Sequence, residues 1–220
     1  MKIKKKIKYF FLFLVSILPM NKLRIFFLNS LFKYNIDYSS FISLFVIINC
    51  KKCEIKNSKI DLFNYIHVEE VFLDNISIKK KNIFKGFKLL KLKNKIKINN
   101  NNKIYGQYPL SKNSNFIIED DCLIGSNNFF DLSDNINIKN KCIILNFCQL
   151  WTHGFNYERK IYTNQTSLIN GVKLENCVTV IGNVKISNNC VIKIGSIVTK
   201  SIEGEGIYTS NELIKKSNLC

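Results

Sequence analysis

Histidine and arginine are both scarce in this chain of 220 residues. The two histidines, His67 and His153, are too few for a zinc site that needs three imidazole ligands. The two arginines, Arg24 and Arg159, do not form the arginine-rich stripe with interleaved aromatic residues that is typical of nucleic-acid-binding surfaces. The net charge of +17 comes mainly from lysines spread along the chain, and we attribute most of it to composition bias. The remaining charge would attract acidic lipid head groups or a phosphorylated cofactor, and nucleic acid is not an expected partner.

Long hydrophobic runs are also lacking, because no apolar stretch reaches the roughly 20 residues of a membrane-spanning helix. After a basic start, the run Tyr9 to Leu18 ends at Pro19, and a second run extends from Leu23 to Phe32. No small-x-small cleavage site of a signal peptide follows the first run. We predict two short helices within residues 1–34. They either lie on the cytoplasmic face of a membrane or cap the open end of the fold.

A six-residue period from Leu168 to Ile202 is the strongest pattern in the sequence. Cut into sixes, the stretch is LINGVK, LENCVT, VIGNVK, ISNNCV, IKIGSI and VTKSIE. The first position of every six is aliphatic, and the fifth is mostly small or aliphatic. This period fits neither a helix nor a long alternating strand. It is typical of a parallel β-helix, an all-β solenoid in which each six supplies one short inward-packed strand and a corner.

The same period covers much of the chain before this stretch. Glu54 falls on an inward position, so the register must slip there or Ile55 must replace it. The other inward positions are expected at Ile36, Ile42, Ile48, Ile60, Ile66, Phe72 and Ile78, at Leu92, Ile98 and Ile104, at Ile118, Ile124 and Phe130, and at Ile138, Ile144 and Leu150.

Two interruptions of the repeat, residues 105–115 and 151–167, are predicted to be loops. The β-helix domain is therefore expected to span residues 35–203. It follows the helical segment 1–34 and precedes a carboxy-terminal tail, residues 204–220.

The eight cysteines do not indicate a disulfide framework. Cys50-x-x-Cys53 has the spacing of a metal site but lacks a second pair or a nearby histidine, so we expect no metal. We interpret the cysteines at fifth positions as small buried hydrophobes with reduced, cytosolic thiols. They are Cys122, Cys142, Cys148 and Cys190.

The second interruption contains the most reactive candidate side chain, His153 within WTHGFNYERK. An imidazole is suited to proton removal near neutral pH, because its unperturbed pKa lies close to that range. Gly154 permits a turn that would leave the ring exposed. The alternative is a surface-loop histidine, with Trp151 packed on the solenoid wall.

Several motifs resemble the hexapeptide-repeat acyltransferases, and especially the sugar O-acetyltransferases of capsule, exopolysaccharide and lipopolysaccharide synthesis. They are the carboxy-terminal repeat, the phrase FFDLSDNINI ahead of QLWTHGF, and the tail GSIVTKSIEGEGIYTSNELIKK. The resemblance covers nearly the whole chain, and it implies a left-handed parallel β-helix that forms homotrimers. It implies acetyl transfer from acetyl-coenzyme A, without a metal, to a hydroxyl group of a bacterial surface-polysaccharide sugar.

The resemblance also implies roles for individual residues. His153 matches the general base of the family, and Asp131 or Asp134 would orient its ring from the neighbouring coil, unless both are solvated corner residues. Trp151 would line the acceptor groove or simply pack against the solenoid. The cofactor residues would be Gly195, Ser196 and Lys200, at the place where the family binds the pantetheine arm and the phosphates of coenzyme A.

The sequence departs from the family pattern in three places. The family often has glycine at the second position of each six, where this chain has Ile169, Glu175, Ile181, Ser187 and Lys193. The familiar Asn-Pro of the tail is Asn211-Glu212, and the final run is shorter by about one hexapeptide. These departures leave a decayed or slow enzyme as one alternative.

Three other functions are alternatives to this one. An N-acetyltransferase acting on an amino sugar fits the same residues. A non-catalytic β-helix that serves as a binding or scaffold protein would show no thioester cleavage. A metal-dependent lyase on the same fold, such as a β-helical carbonic anhydrase, needs three zinc-binding histidines and is therefore disfavoured.

Overall fold

The structure, a computed structural model, describes residues 2–107, 109–155, 161–210 and 212–215. The parts of the two predicted loops and the predicted tail that fall on residues 108, 156–160, 211 and 216–220 lie outside the described residues. Helices α1 (Lys2–Ser16) and α2 (Asn21–Phe32) form the amino-terminal segment. Pro19 lies between the two helices, where a helix cannot continue through it.

Short strands make up nearly all the regular structure after the helices. In chain order they are β1 (Phe41–Ile42), β2 (Ile47–Asn49), β3 (Lys59–Ile60), β4 (Tyr65–His67), β5 (Glu70–Val71), β6 (Ser77–Ile78), β7 (Ile83–Lys85), β8 (Leu89–Leu92), β9 (Lys97–Ile98), β10 (Lys103–Tyr105), β11 (Asn115–Ile118), β12 (Leu123–Ile124), β13 (Phe129–Asp131), β14 (Ile136–Ile138), β15 (Ile143–Ile144), β16 (Gln149–Trp151), β17 (His153–Phe155), β18 (Ile161–Thr163), β19 (Thr166–Leu168), β20 (Lys173–Leu174), β21 (Thr179–Ile181), β22 (Lys185–Ile186), β23 (Cys190–Ile192), β24 (Ile197–Val198), β25 (Gly206–Thr209) and β26 (Glu212–Lys215).

The strands form the three faces of a prism. Among the described residues, the faces are sheets of ten, eight and six strands, and the chain visits each face once per coil. Phe41 pairs in parallel with Lys59, three sixes further along the chain, and Ile47 pairs likewise with Tyr65. The predicted fold class, an all-β solenoid formed by a left-handed parallel β-helix, is confirmed.

The inward positions of the repeat are confirmed almost throughout. From Leu168 to Val198, every first-position residue has a relative exposure of 0%. The four fifth-position cysteines are also buried, as predicted. Inside the prism, burial of these side chains is worth roughly 1.5–3 kcal/mol for each large aliphatic residue.

The prediction for Phe72 is wrong. Its neighbours Val71 and Leu73 point inward, whereas Phe72 is half-buried. In this coil only five residues lead from the inward Leu73, next to the six-stranded sheet, to the inward Ile78 of the ten-stranded sheet. This step is one residue shorter than the six-residue period. The preceding coil has the same short step, and Ile55 replaces Glu54 inside, as predicted.

Buried asparagines hold the corner that leads into the eight-stranded sheet. The side-chain oxygen of Asn64 accepts the backbone N–H of Asn82 at 2.8 Å. The Asn82 and Asn102 oxygens accept the N–H groups of Asn102 and Asn128, both at 2.9 Å. Each amide thereby satisfies a buried backbone donor one coil away. This ladder fixes the starts of strands in the eight-stranded sheet, and the candidate site lies at the carboxyl ends of β13 and β16.

The two interruptions contain regular structure. The first includes a 3-10 helix, Leu110–Asn113. In the second, β17 and β18 pair antiparallel, with His153 opposite Thr163. The tail also joins the solenoid, since β25 pairs in parallel with β23 and β26 pairs antiparallel with β25. Regular pairing therefore continues beyond residue 203.

Within the described residues, neither helix has the length and apolar character needed to cross a bilayer.

Candidate active site

His153 stands where the chain leaves the eight-stranded sheet. Strand β16 ends at Trp151, and His153 begins β17 after one intervening threonine. Asp131 is the last residue of β13, which pairs in parallel with β16. The repeat therefore places the carboxylate of one coil beside the first residues of the interruption in the next.

The structure brings Asp131 and His153 into direct contact. The Oδ2 atom of Asp131 lies 2.7 Å from Nδ1 of His153. The aspartate side chain is 2% exposed, and the histidine side chain is 13% exposed. A buried carboxylate at Nδ1 favours the tautomer that carries its proton on that nitrogen. The basic lone pair of the neutral ring is then on Nε2.

Two hydroxyl residues complete the support for Asp131. The backbone N–H of Thr152 donates to Oδ2 at 3.0 Å, and Ser133 Oγ donates to Oδ1 at 2.9 Å. Thr152 Oγ1 lies 2.8 Å from the Asp131 carbonyl oxygen and 3.1 Å from Oδ2. These donors compensate the burial of the carboxylate and fix its orientation beside the imidazole.

Asp134 bonds to Asn135 and Thr152 instead of the imidazole. Its Oδ1 accepts from the backbone N–H of Asn135 at 2.6 Å and from the side-chain amide of Asn135 at 3.1 Å. Its own N–H donates to Thr152 Oγ1 at 2.8 Å. Of the two carboxylates offered by the sequence, Asp131 is therefore the one in contact with His153.

Trp151 packs beside the histidine. Its ring centroid lies 4.9 Å from that of Phe129 and 5.9 Å from that of His153, with an edge-to-face angle of 68° to the imidazole. Its Nε1 donates to Gln149 Oε1 at 3.0 Å. The indole is half-buried, so it limits the movement of the imidazole and also presents a surface beside it.

The three predicted cofactor residues lie two coils further on, around β24. Gly195 has φ +71°, and a Cβ placed there would meet nothing within 4 Å. Lys200 is exposed and follows β24 at the strand end that corresponds to Trp151. Ser196 is 2% exposed, so its hydroxyl points into the prism. A cofactor role for these three residues stays a prediction.

The sequence pattern does not identify Ser133 and Thr152 as hydrogen-bond partners of Asp131. A signal for Thr152 was present, because it directly precedes His153 within WTHGF. Ser133 lies between the two candidate aspartates, and only the folded turn shows that its hydroxyl faces Asp131. Ser133 and Thr152 hold Asp131, and Asp131 orients the partly exposed imidazole of His153. An imidazole held in this way is able to take a proton from a hydroxyl group.

No protein-family model and no curated protein sequence matches the chain. Several solved structures match it. The polySia-specific acetyltransferase NeuO has 18% identity and a TM-score of 0.48, over 80% of this chain and 86% of that chain. A hexapeptide-repeat-containing acetyltransferase from Vibrio cholerae O1 biovar eltor, in complex with acetyl-coenzyme A, has 13% identity and a TM-score of 0.36, over 89% and 76%. The polysialic acid O-acetyltransferase OatWY has 12% identity and a TM-score of 0.34, over 81% and 87%.

Proposed function

We propose that this protein is an acetyl-coenzyme A-dependent O-acetyltransferase that modifies a hydroxyl group of a bacterial surface-polysaccharide sugar. The observation that carries the proposal is the 2.7 Å contact between Asp131 and Nδ1 of His153. A buried carboxylate behind a partly exposed imidazole is the arrangement of a general base and its orienting partner.

The chemistry needs only a small number of groups from this chain. Nε2 of His153 takes the proton of the acceptor hydroxyl as its oxygen forms a bond to the acetyl carbonyl carbon. The carbon–sulfur bond of the thioester then breaks, and the imidazolium returns its proton to the leaving thiolate. Asp131 stabilises the transient positive charge on the ring and maintains its orientation.

The acyl donor fits the open surface around β24. A bound thioester supplies the activated acetyl group. The Lys200 ammonium group is suited to a phosphate of coenzyme A, and the open approach at Gly195 leaves room for its pantetheine arm.

Exposed apolar side chains on the prism support assembly into a homotrimer. They lie on its corners and outer faces, where a monomer would leave them in water. The prominent ones are Phe45, Phe63, Phe147, Ile194 and Ile197, each at least 40% exposed. We propose that symmetric packing covers part of this surface.

The amino-terminal helices support contact with the inner face of the cell membrane. The outer side of α1 exposes apolar side chains at helical spacing, including Phe10 at 60% and Phe13 at 48% exposure. Lysines precede this run in α1 and lie in α2. Aromatic side chains beside lysines are typical of helices that lie in the interface of an anionic bilayer. The seven cysteines that the structure describes are free thiols, in keeping with a cytoplasmic location.

The proposal is tested by measuring thiol release from acetyl-coenzyme A with a panel of sugars and oligosaccharides. Wild-type protein should release thiol with at least one hydroxyl acceptor. His153→Ala should lower kcat by about 100-fold to 10,000-fold, the contribution of a positioned general base. Equal turnover by both proteins would exclude His153 as the base. Absence of thiol release with every acceptor, together with no thermal stabilisation by coenzyme A, would favour a scaffold protein.

A further inference from the structure

A cleft lies beside α1 at the amino-terminal end of the prism. It has a volume of about 650 Å³, within the range of small-molecule sites. Its lining includes Lys8 of α1, Asn49 of β2, His67 of β4 and Lys112 of the 3-10 helix. These residues have no part in the chemistry proposed for His153.

His67 is held in one tautomer within this cleft. Its Nδ1 lies 3.2 Å from the side-chain nitrogen of Asn49, 3.2 Å from the hydroxyl of Tyr65 and in close contact with the hydroxyl of Tyr9. Because an amide nitrogen only donates, Nδ1 accepts. Burial raises the pKa of Tyr65 above its usual value, so this phenol also keeps its proton for donation. The proton of the neutral His67 ring is therefore on Nε2.

The charged groups that line the cleft are predominantly positive. They are three lysines and one glutamate, and Lys51 pairs with Glu69 at 3.0 Å. Lys8 and Lys112 remain as the excess positive charge. Lys8 Nζ donates to the carbonyl oxygen of Cys50 at 3.0 Å, and burial lowers the pKa of this lysine. An anion bound beside Lys8 would favour its charged form.

Lys112 is attached to an anchored element. The neighbouring Ser111 is buried and donates its hydroxyl hydrogen to the carbonyl oxygen of Gly86. Gly86 has φ +83°, and a Cβ there would lie 2.5 Å from the carbonyl oxygen of Gly106. These two glycines let the chain segments cross closely. The 3-10 helix is thus anchored beside the cleft, and its exposed Lys112 is one of the lining residues.

The cleft and the catalytic pair lie along the same edge of the eight-stranded sheet. In the strand register His67 pairs with Lys85, which pairs with Tyr105, which pairs with Asp131. Three strand spacings separate His67 from Asp131, about 14 Å along the sheet. The exposed Lys85 and the half-buried Tyr105 lie between them. An extended ligand can therefore follow this edge from the cleft to His153.

We propose that the cleft binds a carboxylate or phosphate group of the acceptor saccharide while a hydroxyl group further along the same chain lies at His153. Lys8 and Lys112 would supply charge, and the polar side chains of Asn49 and His67 also line the site. This inference rests on the proposed function, because it names the acceptor as an anionic saccharide. We favour a saccharide over a lipid head group because the cleft shares its sheet edge with the catalytic pair.

Calorimetric titration of the full chain with three hexasaccharides tests the cleft without the acyl donor. The probes are hexagalacturonate, which carries carboxylates, a phosphorylated mannohexaose, and neutral maltohexaose. At least one anionic probe should bind about tenfold more tightly than maltohexaose, and its affinity should fall as salt is added. The tighter of the two anionic probes identifies the anion. Equal affinity for all three probes would overturn the proposal.

Matched variants locate the site. Lys112→Gln should weaken binding of the anionic probe by about fivefold and leave binding of maltohexaose unchanged. Lys141→Gln removes the same charge from an exposed corner outside the cleft and should have no effect. Equal losses in Lys112→Gln and Lys141→Gln would reject the cleft. Binding of phosphatidylglycerol vesicles but of no hexasaccharide, lost in Lys112→Gln, would assign the cleft to a lipid and also overturn the proposal.

Failure of the cleft and failure of the proposed activity give different results. Acetyl transfer with the same acceptor KM in wild type and Lys112→Gln would exclude the cleft as an acceptor-binding site and would support the proposed activity. Lys112-dependent binding of the anionic probe, without acetyl transfer to any acceptor, would contradict the proposed activity and would support an anion-binding cleft.

Discussion

The Oδ2 atom of Asp131 lies 2.7 Å from Nδ1 of His153, although 22 residues separate them in sequence. The solenoid makes this contact, because parallel pairing of β13 with β16 stacks one strand end on the next. Asp134, three residues further along, bonds to Asn135 and Thr152 instead.

Asp131→Asn should lower kcat on the order of 100-fold, because an amide at this position no longer stabilises the imidazolium and can select the wrong tautomer. Asp134→Asn is the matched control and should change kcat by less than about threefold. Initial rates of thiol release for both variants check this, with thermal unfolding recorded to show that both are folded. If Asp134→Asn lowers kcat as strongly as Asp131→Asn, the carboxylate has been misassigned.

The core columns could be predicted from sequence because the six-residue period is local and every coil repeats it. From Leu168 onward, the aliphatic residues at the first positions can all be buried together only if successive sixes form successive faces of a prism. The outward direction of Phe72 could not be predicted from the sequence. It follows from a corner that is one residue shorter than the period, and the pattern of apolar residues does not indicate where such a corner occurs.

The candidate site was predictable only in part. His153 stands out as an imidazole in a break of the repeat. The choice between Asp131 and Asp134 required the turn that directs one side chain inward and the other toward Asn135. The cleft around His67 joins segments as distant as Lys8 and Lys112, and no spacing in the sequence indicates their proximity.

The asparagine ladder should contribute substantially to stability. Asn102 donates to Gly125 O at 2.8 Å and accepts from the backbone N–H of Asn128 at 2.9 Å. Asn102→Ala would leave both buried groups without these partners, at roughly 1–3 kcal/mol each. We expect the free energy of unfolding in urea to fall by about 3 kcal/mol.

The control is Asn100→Ala, in the same run of four asparagines. Asn100 is exposed, and its Oδ1 accepts the N–H of Lys80 at 3.0 Å. Water can replace this bond, so the expected loss is below about 1 kcal/mol. Similar losses for the two variants would show that the buried ladder has no special role.

Alkaline pH should destabilise the fold through the buried thiol of Cys148. Burial raises its pKa from 9.0 to about 11. Because the folded state favours the neutral thiol, its contribution is complete below pH 9 and is lost as the pH rises toward 11. A difference of two pKa units corresponds to about 2–3 kcal/mol.

Cys148→Ala isolates this contribution. The stability advantage of wild type over Cys148→Ala, measured by urea unfolding, should shrink by about 2–3 kcal/mol between pH 8 and pH 11. As an internal control, the advantage should stay constant between pH 6 and pH 8, where Cys148 is a neutral thiol in both the folded and the unfolded state. An advantage that stays constant up to pH 11 would show that Cys148 does not titrate differently in the folded chain.

The outer side of α1 should bind anionic membranes. Phe10 and Phe13 are 60% and 48% exposed, and moving such a side chain from water into a bilayer interface is favourable by about 1–2 kcal/mol. Phe10→Ser with Phe13→Ser should therefore weaken binding to phosphatidylglycerol vesicles about tenfold or more in a sedimentation assay. Ile214→Ser removes an apolar side chain of comparable exposure, 59%, from β26 and should leave vesicle binding unchanged. If the double variant binds vesicles as wild type does, or if Ile214→Ser reduces binding equally, the helices are not the membrane contact. Their apolar side would then be covered by another protein surface.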